Sequence, residues 1–184
     1  PTTSRCSSAA SDVYKRQFFE YAMGEIADGV FGVLRASGPD RLTVAGKLGL
    51  PQVVCPGGSE HLGILVHEPN HVPEEYKDHQ ITFHSPVVFV PRLNAEEQRR
   101  VAECIGERLK HSTKNTVFLM PLKGVSSYSA EGGELFNREL DAAYWEALQD
   151  NLPDTIDVEA LDLTAEDPAF VEHAVKTLIN LIEK

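Results

Sequence analysis

The clearest chemistry in this sequence lies in short runs of glycine and hydroxyl side chains. Lys123-Gly124-Val125-Ser126-Ser127-Tyr128-Ser129 directly follows the apolar run at 116–122. Glycine lets backbone amides approach an anion closely, and serine adds hydroxyl donors, so this segment suits a phosphate or a carboxylate. An ordinary strand-to-helix connection favours the same residue types, and that reading stands beside the first. Glu131-Gly132-Gly133 extends the loop; its paired glycines permit positive φ, as in a flexible lid or a plain turn. Pro56-Gly57-Gly58-Ser59 follows another apolar run and has the same character. The candidate ligand-binding residues are therefore Gly57, Gly58, Ser59, Gly124, Ser126, Ser127, Gly132 and Gly133.

Histidine supplies the other candidates. His84 ends the apolar run at 81–84, where it would face a cleft and donate to a phosphate or act as an acid or base. Glu25 is the second acid–base candidate. His61, His67, His71 and His79 lie close to Glu60 and Glu68, but separations of six, four and eight match no standard zinc site. They read as solvated loop histidines, and no metal centre is expected. There is no G-x-x-x-x-G-K-[ST] and no G-x-G-x-x-G, so a nucleotide would not be held by a P-loop or a dinucleotide fingerprint. Without a G-x-S-x-G elbow, a hydrolase triad is not expected. Cys55 reads as a core residue.

The elements that must position these residues alternate between strand and helix. Strands are predicted at 52–55, 81–84, 87–90, 116–122 and 156–161, with the end of another at 18–21. Helices are predicted at 25–36 and 39–48, with a short one at 73–77. A further helix at 94–110 has Asn94 as N-cap and Glu97 three residues on, with Val101, Ile105 and Leu109 on one stripe. Two more fall at 137–148 and from Pro168 onward, the last with Phe170, Val171, Ala174, Val175, Leu178, Ile179 and Ile182 inward. This order predicts an α/β fold with a mostly parallel sheet flanked by helices, Rossmann-like or flavodoxin-like. Such sheets bind ligands at the carboxyl ends of their strands, which selects the loops at 56–61, 84–86, 123–133 and 162–167.

Composition narrows the classes. The chain has 184 residues, with 28 acidic side chains against 17 Lys and Arg and a net charge of −11. That balance argues against nucleic-acid binding, which needs clustered cations. No apolar run is long enough to span a membrane. Three cysteines without disulfide-framework spacing indicate a reducing, cytoplasmic setting. Residues 1–17, PTTSRCSSAASDVYKRQ, lack both periodicity and the apolar core of a signal peptide. They resemble translated adapter read-through at the end of a fragmentary metagenomic gene. The expected natural domain is 18–184, cut at its N-terminal side.

Taken in order, the loop motifs form a recognisable set. They are Glu25-Ile26-Ala27-Asp28, Gly38-Pro39-Asp40-Arg41-Leu42, Gly49-Leu50-Pro51-Gln52-Val53-Val54, Pro56-Gly57, His84-Ser85-Pro86, Pro121-Leu122-Lys123-Gly124-Val125-Ser126, Gly132-Gly133 and Asp167-Pro168-Ala169-Phe170. The series resembles the C-terminal half of the ATP-binding family typified by the tomato mosaic virus resistance protein. The resemblance implies the second half of a two-domain protein. It also implies ATP, with Mg²⁺, or a phosphometabolite held in a cleft with the N-terminal domain, and a homo-oligomer as a possible assembly. The alternative it implies is an interaction or inhibitory module without catalysis. Gly24, Ser85, Lys123, Thr164 and Glu166 depart from the expected pattern and mark a divergent branch.

Overall fold

The computed structural model describes residues 17–33 and 35–183. Apart from Gln17, the segment read as adapter-derived lies outside the described residues. The main sheet is built from β1 (Phe18–Ala22), β2 (Gln52–Gly57), β6 (Thr116–Pro121) and β7 (Asp157–Leu161), in that order and all parallel. Three further strands lie between β2 and β6 in the chain. They are β3 (Ile64–Leu65), β4 (Ile81–Ser85) and β5 (Val88–Pro91), which pair antiparallel in the order β3-β5-β4. The helices are α1 (Gly24–Val30), α2 (Val44–Leu48), α3 (Ala95–Leu109), α4 (Arg138–Asn151) and α5 (Pro168–Ile182).

Both central strands are buried on both faces, which is why they read as unbroken apolar runs. Alternation sorts their side chains. Val54, Phe118 and Met120 meet Ile26, Ile105 and Tyr144 in a core under α1, α3 and α4. Val53, Cys55, Val117 and Leu119 meet Phe170 and Ala174 of α5 on the other face. The α3 N-terminus has the expected capping box: Glu97 N–H donates to Asn94 Oδ1 (3.0 Å) and Asn94 N–H donates to the Glu97 carboxylate (2.8 Å).

Several expectations are corrected. The runs at 81–84 and 87–90 are strands, but they form an antiparallel hairpin outside the parallel sheet. Their connection is two residues long, too short for a parallel crossover. The loop at 84–86 is therefore a hairpin turn rather than a carboxyl end of the main sheet. The first helix stops at Val30, before Gly32 turns left-handed (φ 69°). The helix predicted from Pro39 begins only at Val44, because Leu42 takes φ 68°. The segment at 73–77 is one 3₁₀ turn, Glu74–Tyr76. In α5, Phe170, Ala174 and Leu181 are buried, but Val171, Val175, Ile179 and Ile182 are exposed. One helix turns only one face to one sheet, and its apolar residues cover more than that face.

Close packing of α3 on α4 depends on Gly106, where a Cβ would sit 2.2 Å from the Asn151 carbonyl oxygen. Gly106→Ala should lower unfolding stability by roughly 1–3 kcal/mol through overpacking, read from the urea midpoint. An unchanged midpoint would mean the helices do not meet there.

Candidate functional site

Loops leaving the carboxyl ends of β2 and β6 converge on one buried carboxylate. After β2, Gly58 takes φ 69° and donates its N–H to the Val125 carbonyl (3.1 Å), which joins the two loops. Ser59 is sealed beneath them. Its hydroxyl donates to the Pro56 carbonyl (2.6 Å) and accepts from the Tyr144 hydroxyl (2.6 Å). Burial raises the Tyr144 hydroxyl far above its ordinary value, so it remains a neutral donor. Next comes Glu60, whose side chain has no solvent exposure. Its Oε1 accepts from His61 Nδ1 (3.0 Å) and from the Ser126 hydroxyl, while Oε2 has no hydrogen-bond partner.

The electrostatics of Glu60 follow from these contacts. Burial pushes its carboxyl upward, but the adjacent His61 and the hydrogen bonds from His61 and Ser126 together outweigh burial. The net result is a carboxyl below its ordinary value, held as the anion. An ionised carboxylate can only accept, so His61 Nδ1 is the donor and carries a proton. His61 Nε2 makes no hydrogen bond to the protein and is not sealed from solvent; the side chain is 13% exposed. Tyr128 leans its ring edge on His61, with centroids 5.3 Å apart, and its hydroxyl lies 2.9 Å from His84 Nδ1.

On the other side of the 124–136 loop lies a cleft of about 410 Å³ at the carboxyl ends of β6 and β7. Met120, Phe136 and Trp145 give it apolar walls, and Lys123 and Arg138 stand at it with Glu131, Asp141 and Asp162. Lys123 pairs with Asp162 (2.8 Å), and Arg138 lies 3.9 Å from Glu131 and over the Phe136 ring. Asp141 is held by the buried Arg92 (2.6 Å), which also donates to the Leu135 carbonyl. Burial raises the Asp141 carboxyl, against the opposing pull of Arg92.

The sequence-predicted residues separate on this frame. Ser126 lies on Glu60, with His84 one contact away through Tyr128. Ser127 is exposed. Gly57, Gly124 and Gly133 serve close packing, where a Cβ would lie 2.4 Å from Tyr21 O, 2.7 Å from the Ala130 backbone and 2.3 Å from Tyr128 O. Gly132 is open, with φ 87°. Glu25 is exposed and paired with Arg41 (2.8 Å). His61, read as a solvated loop histidine, is instead mostly buried and hydrogen-bonded to Glu60. The sequence holds no local signal of this beyond Glu60-His61 lying two residues after the strand-ending Gly57-Gly58. Buried Asp28, which ion-pairs with Arg35 (2.8 Å) and accepts from Gly63 N–H (3.2 Å), was missed as an anchor.

The profile described as "Uncharacterised protein family (UPF0261) C-terminal domain" matches residues 15–182. The chain belongs to this family. It is 33% identical to a "UPF0261 protein" of Clostridium tetani over 172 residues, which are 93% of this chain and 42% of that protein. It is also 33% identical to "UPF0261 protein mlr3387" of Mesorhizobium japonicum over 150 residues, covering 80% of this chain and 37% of the relative. It is 24% identical over 162 residues to the "ToMV resistance protein Tm-1(GCR237)" of Solanum lycopersicum, covering 87% of this chain and 21% of that protein. The chain thus spans about two-fifths of the length of its bacterial relatives. No helix among the described residues is long and apolar enough to cross a membrane.

The lowered Glu60 carboxyl makes a linkage prediction. Its contribution is present above the unfolded-state value of about 4.3 and is lost as pH falls through the lower folded value. Between those values the unfolded chain binds the extra proton, so stability falls on acidification. Glu60→Gln should therefore flatten the stability profile below about pH 4.5, measured by denaturant unfolding across pH. Parallel profiles for the two proteins would contradict the assignment.

Proposed function

We propose that this domain binds a nucleotide, with ATP the first candidate, at the carboxyl ends of β6 and β7. The cleft beside the Gly124–Gly133 loop is the observation that carries this reading: apolar and aromatic walls beside two cations. Trp145 and Phe136 suit a base, and Lys123 and Arg138 suit phosphates. Both cations now hold exposed carboxylates, and such pairs are worth only about 0–1 kcal/mol, so exchange for a phosphate costs little. Among the described residues no three His, Cys, Asp or Glu side chains converge as a metal site. Mg²⁺ would therefore arrive on the phosphates, with Asp162 or Glu131 free to meet it once displaced. Two free cysteines, Cys55 and Cys104, suit a reducing cytoplasm.

ATP·Mg²⁺ at a hundredfold excess over Kd should stabilise the full-length protein by about 2.7 kcal/mol. Lys123→Ala combined with Arg138→Ala should weaken binding by roughly tenfold or more, as expected when charge-assisted hydrogen bonds are lost. No nucleotide-dependent rise in melting temperature would sink the proposal. Gly124→Val is unsuitable as a probe, because its φ of 133° and its contact with Ala130 would disturb the backbone itself.

A second reading, a protein-interaction module, is favoured by the exposed stripe of Val171, Val175, Ile179 and Ile182 on α5. Those residues follow helical spacing, and none of them lines the cleft. On this reading Val175→Lys weakens self-association or partner capture, measured by light scattering, while nucleotide-induced stabilisation is retained. Loss of both together would tie the stripe to the fold rather than to a partner.

A further inference from the structure

Three carboxylates stand at the cleft, and they are not alike. Asp162 and Glu131 have exposed side chains, and so do their partners Lys123 and Arg138. Asp141 is only 16% exposed, and its partner Arg92 is fully buried. Arg92 donates from Nη2 to Asp141 Oδ1 (2.6 Å) and from Nη1 to the Leu135 carbonyl, so the carboxylate is pinned from the protein side. Its Oδ2 accepts no hydrogen bond from the described residues and is not sealed from solvent. The wall of the cavity therefore carries a pre-positioned acceptor with a spare oxygen. A part-buried acceptor gains more from a hydroxyl donor than an exposed one does.

Helical spacing gives that acceptor an address. Arg138, Asp141 and Trp145 are three and four residues apart and all line the cleft, so they share one face of α4. At a rise of about 1.5 Å per residue, Asp141 stands about 4.5 Å along the axis from Arg138 and about 6 Å from Trp145. With phosphates at Arg138 and the base on Trp145, the sugar falls between them, beside Asp141.

We infer that Asp141 reads the sugar of the bound nucleotide: its carboxylate accepts from the 2′ and 3′ hydroxyls, so the cleft prefers ribonucleotides to deoxyribonucleotides. The inference rests on the nucleotide reading above and adds to it a choice of sugar. Oδ2 is unused, and Oδ1 keeps a second lone pair beside its bond to Arg92, so one carboxylate can serve both hydroxyls. A deoxy analogue leaves part of this acceptor without a donor, and a site built around a hydroxyl discriminates strongly against the ligand that lacks it.

The test measures the affinities of ATP, 2′-deoxy-ATP and 3′-deoxy-ATP for the full-length protein with Mg²⁺, by calorimetry. The expected result is that ATP binds and that each deoxy analogue binds at least tenfold more weakly, as for a lost hydrogen bond to a charged acceptor. Asp141→Asn keeps an oxygen for Arg92 but removes the charge, so it should shrink the ratio between ATP and its analogues. Asp162→Asn alters an exposed carboxylate and should shift all three affinities together, with their ratios intact. Equal affinities in the unsubstituted protein overturn the inference and leave the nucleotide reading standing. A ratio retained in full by Asp141→Asn, or lost in Asp162→Asn, also overturns it. Absence of binding by all three nucleotides removes both. Should Asp141→Asn fail to fold, the unsubstituted protein and Asp162→Asn still decide the matter.

Discussion

A single buried charge organises the ligand-facing end of this domain. Glu60 has no contact with water, so it must be satisfied by the groups around it, and those groups come from separate parts of the chain. His61 is its sequence neighbour, but Ser126 arrives from the loop after β6, 66 residues later. The backbone is tied at the same place: Leu93 N–H donates to the Glu60 carbonyl (2.9 Å), anchoring the end of the β3–β5 hairpin sheet. Removing the charge would therefore free His61 and the Ser126 loop, while the backbone tie to Leu93 remains. Keeping it holds a proton on His61 Nδ1 and fixes the direction of the Ser126 hydroxyl.

The glycines do different work from the one their sequence context implies. Gly57 lets β2 pass against the Tyr21 carbonyl of β1, and Gly124 and Gly133 let the loop after β6 fold tightly on itself, presenting Ser126 to Glu60. The 124–136 loop then has two faces. Ser126 meets Glu60 and is braced by Ser129, and Ala130 and Phe136 line the cleft beside α4.

How much of this was legible depended on range. The α3 helix was readable because its capping box and its i, i+4 stripe are local. The parallel character of β2, β6 and β7 was readable because strands buried on both faces lose their alternation. The β4–β5 hairpin was not, since four apolar residues look alike in either pairing; only the short 86–87 connection carried the difference. The face of α5 was over-read for a similar reason. Helical period says which residues share a side, but not which sides find a partner. His61 was misjudged because its defining contact, through Glu60 to Ser126, spans the fold. Adjacent Glu and His in a loop carry no signal of burial by themselves.

The central claim is that a buried, ionised Glu60 holds His61 through a proton on Nδ1. Long-range nitrogen–proton NMR correlation of the His61 ring in the full-length protein at neutral pH reads this directly. The account predicts a protonated Nδ1 in slow exchange, with that signature lost in Glu60→Gln. An Nε2–H tautomer, or two averaged ring nitrogens like those of a solvated histidine, would contradict it.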